Sequence, residues 1–97
     1  MTPAAKTTPS LTALRDELSA LDTELVNLLA RRVALARRIG VEKRAAGLAT
    51  LDTWREAQVV AAAARQARRA HLPEEAVRDI FWPVVAMCRR AQQDDGQ

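Results

Sequence analysis

Two cationic residues on one predicted helix are the first candidates for chemistry in this sequence. Arg32 and Lys43 are eleven residues apart, so on an ideal helix they differ in direction by about 20° and lie about 16 Å apart along the axis. Two long cations placed in this way can hold a small dianion between them. Alternatively, Lys43 is a surface lysine and Arg32 extends its charged end into water. The spacing alone leaves both interpretations open.

Arg15 is a third candidate, and it lies seventeen residues before Arg32, which is about 25 Å along one helix. It therefore cannot share a ligand with Arg32 of the same chain. A second, antiparallel copy of the chain would allow it to do so; otherwise Arg15 is a solvated surface arginine. Taken by itself, the residue favours the surface interpretation.

Three charged residues share a face at the start of a second predicted helix. Asp52, Arg55 and Glu56 fall at positions i, i+3 and i+4. They form either a polar cluster that orients a hydroxyl or amine, or a helix start at which acidic groups interact well with the dipole. Glu56 also fits a capping box that begins at Thr53, although Thr50 or Asp52 would serve as the cap too. The residues alone favour the structural interpretation.

The third predicted helix places Cys88 and Gln92 on its inner face, one turn apart. A buried cysteine is usually a small apolar residue, whereas a buried glutamine amide must find partners. The one histidine, His71, lies between two predicted helices, so we expect no metal site. The sequence shows no Ser-His or Cys-His pair for nucleophilic catalysis and no glycine-rich phosphate loop.

A very long first helix must position Arg15, Arg32 and Lys43. The segment from Leu11 to about Ala46 has no proline, and its apolar residues follow a heptad spacing that Arg32 interrupts. These apolar residues are Leu11, Leu14, Leu18, Leu21, Leu25, Leu28, Leu35 and Ile39. Such a helix is about 54 Å long, whereas a globule of this size has a radius of gyration of about 13 Å. We therefore expect a second copy to cover it in a homo-oligomer.

Two shorter helices follow, which makes the predicted fold all-α. Alanine accounts for 20 of the 97 residues, and glycine and proline are rare, which favours helix over sheet. The predicted features are a cap at Ser10, an end at Gly47, a second helix from 50–53 to Ala70, and a third from Pro73 to Gln93 with a kink at Pro83. We expect residues 1–9 to be disordered, 10–93 to form one helical domain and 94–97 to be frayed.

The composition limits the class of function. A net charge of +3 suits a small anionic ligand and is weak evidence for DNA binding. Two tryptophans and one phenylalanine are too few for a surface that stacks on nucleic acid bases. The single cysteine indicates a reducing compartment, and no stretch resembles a signal peptide or a membrane span. We expect a cytoplasmic protein that binds neither nucleic acid nor membrane.

Three segments of the sequence, taken in order, closely resemble the small all-helical chorismate mutase family. The similar segments are LRDELSALDTELVNLLARRVALARRIGVEK, DTWREAQVV and IFWPVVAMCRRAQ, and the resemblance covers about residues 11 to 93. Its most specific feature is an ordered polar set, Arg15, Arg32, Lys43, Asp52, Arg55, Glu56 and Gln92. The resemblance implies an intertwined helical-bundle homodimer in which Arg15 crosses into the partner's site.

The implied reaction is the Claisen rearrangement of chorismate to prephenate, which is pericyclic and requires no general base, nucleophile, metal or cofactor. Catalysis would come from holding a compact diaxial conformer and stabilising charge on the breaking ether oxygen. By resemblance, Arg15 and Arg32 bind the two carboxylates. Lys43 and Gln92 donate hydrogen bonds to the ether oxygen, and Lys43 also touches a carboxylate. Because the Gln92 amide donates without being protonated, we expect activity to persist at neutral and alkaline pH.

The remaining residues of the resemblance contact other parts of the substrate. Glu56, helped by Asp52, would hold the C4 hydroxyl, and Arg55 would support the carboxylates or the acidic pair. Two residues depart from the family pattern. Cys88 stands where a serine commonly contacts a substrate carboxylate, and a thiol is a weaker donor. Pro83, about one turn earlier, would shift the same wall of the pocket, so either residue would mark a changed substrate.

Three alternatives to chorismate mutase are open from the sequence. The first is a mutase for 4-amino-4-deoxychorismate, whose ammonium would suit Asp52 and Glu56. The second is an isochorismate pyruvate-lyase, although the Arg55-Glu56 pair is more typical of mutases. The third belongs to another class: a non-catalytic, basic helical dimer whose binding to nucleic acid would weaken steeply with salt.

Overall fold

Three helices make up the part of the chain that the structure, a computed structural model, describes, which is residues 10–94. They are α1 (Leu11–Ala45), α2 (Thr53–Arg69) and α3 (Glu74–Asp94). No strand occurs in this range, and the predicted all-α fold of one very long helix and two shorter ones is confirmed. Residues 1–9 and 95–97, where the sequence predicts disorder and fraying, lie outside the described residues.

The ends of α1 follow from the residues that cap it. At its start, the Ser10 hydroxyl accepts a hydrogen bond from the backbone N–H of Ala13 at 3.1 Å, as an N-cap does. At its end, Gly47 has a φ of 72°, a left-handed conformation that glycine adopts without a steric penalty. The N–H of Leu48 then reaches the Lys43 carbonyl at 2.8 Å, which completes a Schellman motif.

Asp52 is the N-cap of α2, because its side chain accepts a hydrogen bond from the N–H of Arg55 at 3.0 Å. The capping box beginning at Thr53 is therefore wrong, and the alternative cap at Asp52 is confirmed. The geometric reason is that a cap at Asp52 puts Glu56 one position beyond the place from which it would reach back to the cap. The Glu56 side chain is thus available for another contact.

A short connection joins α2 to α3. His71 has a φ of 61°, and the N–H of Leu72 bonds to the Ala67 carbonyl at 2.8 Å, which closes the end of α2. The Pro73 carbonyl accepts from Val77 at 3.2 Å, so Pro73 precedes the first helical residue rather than being that residue. Pro83 lies inside α3, and the kink expected there stays a prediction.

The described chain divides into two units, residues up to Ala30 and residues from Arg31 onward. In the first unit, α1 carries leucines whose exposed fractions lie between 48% and 61%: Leu11, Leu14, Leu18, Leu21, Leu25 and Leu28. An exposed row of this kind is unusual for a monomer. The homodimer that the sequence predicts stays a prediction.

The second unit contains the buried core, which consists mainly of small residues. Val60, Ala64 and Ala67 of α2 are buried, as are Val85 and other residues of α3. Small side chains allow helices to approach closely, and the last part of α1 contributes Ala36 and Gly40 to the buried set. None of the three helices within residues 10–94 combines the length and the apolar character that crossing a membrane requires.

Candidate active site

A cavity of about 360 Å³ lies in the second unit. Its walls come from the last part of α1, the start of α2 and the second half of α3. The polar residues that line it are Arg32, Lys43, Asp52, Arg55, Glu56, Cys88, Arg89 and Gln92. Apolar side chains, including Leu35, Val59 and Val85, complete the lining. A mainly apolar cavity with a few convergent polar groups is typical of a small-molecule site.

Arg32 is half-buried and turns toward α3. Its guanidinium donates a hydrogen bond to the Cys88 sulfur at 2.9 Å, and Cys88 itself is buried. A thiol is a weak acceptor, so this contact leaves most of the donor capacity of the guanidinium for other partners. Arg32, which interrupts the heptad spacing in α1, thus contributes a positive charge to the cavity lining.

Lys43 connects three segments of the second unit. Its ammonium group donates to the Thr50 carbonyl at 3.1 Å and to Oε1 of Gln92 at 3.3 Å. Because the amide oxygen of Gln92 faces the lysine, the amide NH₂ remains to donate elsewhere. The cavity therefore contains an ammonium and an amide donor that are held next to each other.

The backbone of Gln92 is held as closely as its side chain. Arg44 donates to the Gln92 carbonyl, which is one of the C-terminal carbonyls that have no partner within α3. Gly40 packs against the same residue, since a Cβ atom placed on Gly40 would lie 2.7 Å from the Gln92 carbonyl oxygen. Sequence reasoning missed both contacts, although an isolated glycine inside a helical pattern is a signal of close packing.

The two acidic residues at the start of α2 are each held by a hydrogen-bond partner. Asp52 lines the cavity while its carboxylate caps the helix. Glu56 accepts two hydrogen bonds from Arg89 of α3, from Nε at 2.9 Å and from a terminal nitrogen at 3.1 Å. The hydrogen bonds and charge of Glu56 raise the pKa of Arg89 above its ordinary value. Sequence reasoning missed Arg89, because no local pattern links residues on different helices.

Comparison with known proteins identifies the family. The family model for chorismate mutase type II matches residues 14–93. The chain belongs to the chorismate mutase type II family. The predicted likeness to the small all-helical chorismate mutases is thereby confirmed.

One curated protein to which this chain is similar is the T-protein of Enterobacter agglomerans. The two sequences are 31% identical over 86 residues. The alignment covers 89% of this chain and 23% of the T-protein, so this chain spans less than a quarter of that relative's length.

The structure brings together most of the site residues expected for a chorismate mutase. Seven of the eight line the cavity described above: Arg32, Lys43, Asp52, Arg55, Glu56, Cys88 and Gln92. The eighth, Arg15, belongs to the first unit and is exposed. The individual roles of these residues stay predictions.

The charges that line the cavity favour an anion. Four cationic side chains, those of Arg32, Lys43, Arg55 and Arg89, stand against the carboxylates of Asp52 and Glu56, so the lining carries a net charge of +2. Low-dielectric walls concentrate the field of such charges and raise the local concentration of an oppositely charged ligand. The excess positive charge of the lining suits a negatively charged ligand.

Proposed function

We propose that this chain catalyses the rearrangement of chorismate to prephenate. The observation that carries the proposal is the adjacent pair of donors, Lys43 and Gln92, in a cavity with a net charge of +2. The family match supports the same reaction. In this reaction the ether C–O bond breaks as a C–C bond forms, and no proton or group is transferred to the protein.

The chemistry required of the protein is restraint and electrostatic stabilisation. Arg32, together with Arg15 from a partner chain, binds the two carboxylates and holds the substrate in its compact conformer. Lys43 and Gln92 donate hydrogen bonds to the ether oxygen, on which negative charge develops as the bond breaks. Their mutual hydrogen bond keeps both donors in place before the substrate arrives, so little reorganisation is needed.

The acidic end of the cavity binds the ring hydroxyl in this proposal. Glu56 accepts the hydrogen bond from the C4 hydroxyl, and Asp52 lies one turn away at the helix cap. Arg55 supports the carboxylates or the acidic pair, and Cys88 lies beside Arg32 near one carboxylate. The short distance from Arg32 to Cys88 supports a shared role, in which the thiol helps to orient the guanidinium.

We further propose an intertwined homodimer. The exposed leucine row of the first unit supports it, since burying a leucine side chain contributes about 1.5–3 kcal/mol. In the second unit, the large apolar residues Leu35 and Ile39 are also exposed, at 56% and 48%. They border an open hollow of about 600 Å³ on α1. Pairing of two first helices would cover these apolar surfaces and deliver Arg15 to the neighbouring site.

The alternatives receive less support. A 4-amino-4-deoxychorismate mutase would use Glu56 to bind an ammonium, but this carboxylate is already paired with Arg89. The isochorismate pyruvate-lyase and the non-catalytic dimer are not favoured by the family match. We place the activity in aromatic amino acid biosynthesis in the cytoplasm, where a single free cysteine would stay reduced.

The test is to incubate the purified protein separately with chorismate, 4-amino-4-deoxychorismate and isochorismate and to compare kcat/KM. We expect saturable loss of chorismate absorbance, formation of prephenate and much lower values for the other two compounds. Turnover of none of the three would contradict the enzymatic proposal. In that case, binding to nucleic acid that weakens steeply with salt would support the non-catalytic dimer.

A further inference from the structure

The ion pair between Arg89 and Glu56 is the feature of the cavity that the proposed reaction does not explain. The guanidinium binds the carboxylate through two nitrogens, at 2.9 and 3.1 Å. The Glu56 side chain is only 15% exposed and that of Arg89 is 32% exposed. Both residues line the cavity. A bidentate pair of this kind fixes the position of a carboxylate as well as its charge.

The pair changes what Glu56 can bind. Each carboxylate oxygen has two lone pairs, and Arg89 uses one on each oxygen, so each oxygen can still accept a hydrogen bond from a neutral donor. The negative charge, however, is already balanced by a guanidinium that stays protonated at any ordinary pH. Glu56 therefore remains a hydrogen-bond acceptor but is a poor counter-ion.

The neighbouring charges lead to the same conclusion. At this end of the cavity Asp52 and Glu56 carry negative charge, and Arg55 and Arg89 carry positive charge, so the local charge is zero. An ammonium group entering here would lose its hydration without gaining a net opposite charge, which is costly. A hydroxyl group needs only an acceptor, and it loses much less on leaving water.

We infer that Arg89 determines substrate specificity as a positioning residue that acts through Glu56. By holding and neutralising this carboxylate, Arg89 makes the site accept a substrate with a ring hydroxyl and reject the otherwise similar substrate with a ring ammonium. The inference rests on the proposed function, because it assigns the ring substituent to the Glu56 end of the cavity.

The test compares kcat/KM for chorismate and for 4-amino-4-deoxychorismate in the wild-type protein and in Arg89→Met. The methionine keeps a long side chain but removes the charge, so Glu56 becomes a free counter-ion. We expect the ratio of kcat/KM for the amino compound to that for chorismate to rise about tenfold or more. Arg89→Lys keeps the charge and should restore most of the wild-type ratio.

Two further variants separate this effect from a general loss of charge or of folding. Arg90→Met removes a positive charge from the next residue of α3, which is exposed and does not line the cavity, and it should leave the ratio unchanged. Glu56→Gln removes the carboxylate and leaves Arg89 unbalanced, so the ratio should fall below the wild-type value. Arg89→Gln, which also removes the charge of residue 89, replaces Arg89→Met in this comparison if the methionine variant does not fold.

A ratio in Arg89→Met that stays within about twofold of wild type, even if both activities fall, would overturn the inference, because a purely structural role lowers both activities together. A wild-type protein that prefers the amino compound would overturn it as well. If the wild-type protein turns over neither compound, the proposed function fails separately. The ratio of the two dissociation constants, measured by calorimetry in wild type and variants, then decides the inference by the same criterion.

Discussion

The two units of the chain differ in what they bury of the same helix, α1. In the first unit α1 exposes large side chains, such as Leu18 at 59% and Leu25 at 59%. In the second unit Leu35 and Ile39 are exposed as well, at 56% and 48%, but α1 also buries two small residues, Ala36 and Gly40. The first unit thus contains an exposed apolar surface, whereas the second contains a buried core and a cavity.

This difference shows what a hydrophobic repeat does and does not determine. The heptad spacing tells which side chains share a face of α1, and it is the same kind of signal in both units. Whether that face is covered depends on the rest of the assembly. Covering the leucines of the first unit is therefore expected to matter most, followed by the chemistry of the second unit and then by its packing.

The largest effect is expected from charging the leucine face of the first unit. Leu21→Glu combined with Leu25→Glu would place two charges from each chain in the proposed dimer interface, where burying unpaired charges is prohibitive. We expect sedimentation to show monomers and kcat/KM to fall by about a thousandfold or more, since each site would lose Arg15. The measurements are analytical ultracentrifugation and the chorismate assay.

The matched control for this variant is Thr23→Glu combined with Asn27→Glu. These two positions have the same i, i+4 spacing and lie outside the heptad set on α1. The control should remain dimeric and active. A Leu21, Leu25 double variant that stays dimeric and active would show that this face is not the interface.

The next largest effect is expected at the donors of the second unit. Lys43→Ala removes a group proposed to stabilise charge on the ether oxygen, and loss of one such donor lowers kcat by about a hundred- to a thousandfold. Circular dichroism should show an unchanged helix content. Arg37→Ala, an exposed residue of α1 outside the cavity, is the control. A Lys43→Ala variant with near-normal kcat would refute the role assigned to Lys43.

The smallest effect is expected from the packing of α1 against α3 in the second unit. In Gly40→Ala the new Cβ would lie 2.7 Å from the Gln92 carbonyl oxygen, so the two helices must move apart. Overpacking of this kind costs about 1–3 kcal/mol, against a gain of about 1 kcal/mol in helix propensity. Urea denaturation should show a net loss of stability, and kcat should fall because Gln92 is displaced. A more stable variant with unchanged kcat would contradict the close contact.

Much of the fold can be predicted from local patterns. Ser10 and Gly47 mark the ends of α1 because their preferences act within one turn of the chain. The cap of α2 is harder, since Thr50, Asp52 and Thr53 all suit the position, and only backbone geometry selects Asp52. The all-helical class follows from composition and periodicity together.

The site is less predictable, because its contacts join residues that are far apart in sequence. The polar residues of the cavity are suggested by resemblance, but the pairing of Glu56 with Arg89 and of Arg44 with the Gln92 carbonyl depends on how the helices pack. Similarly, an arginine in a heptad row signals a conflict, but the row alone does not place Arg32 beside Cys88. Sequence patterns reach one or two turns along a helix, whereas this cavity is built across three helices.

The most direct test of the whole account mixes two inactive variants, Arg15→Ala and Arg32→Ala. If each active site combines Arg32 of one chain with Arg15 of the other, half of the randomly paired dimers are mixed, and each of these has one intact site. After joint unfolding and refolding, the mixture should recover about a quarter of the wild-type activity, while each variant refolded alone stays inactive. A mixture that remains inactive although mixed dimers form, or an Arg15→Ala variant that is fully active alone, would contradict sharing of the site between chains.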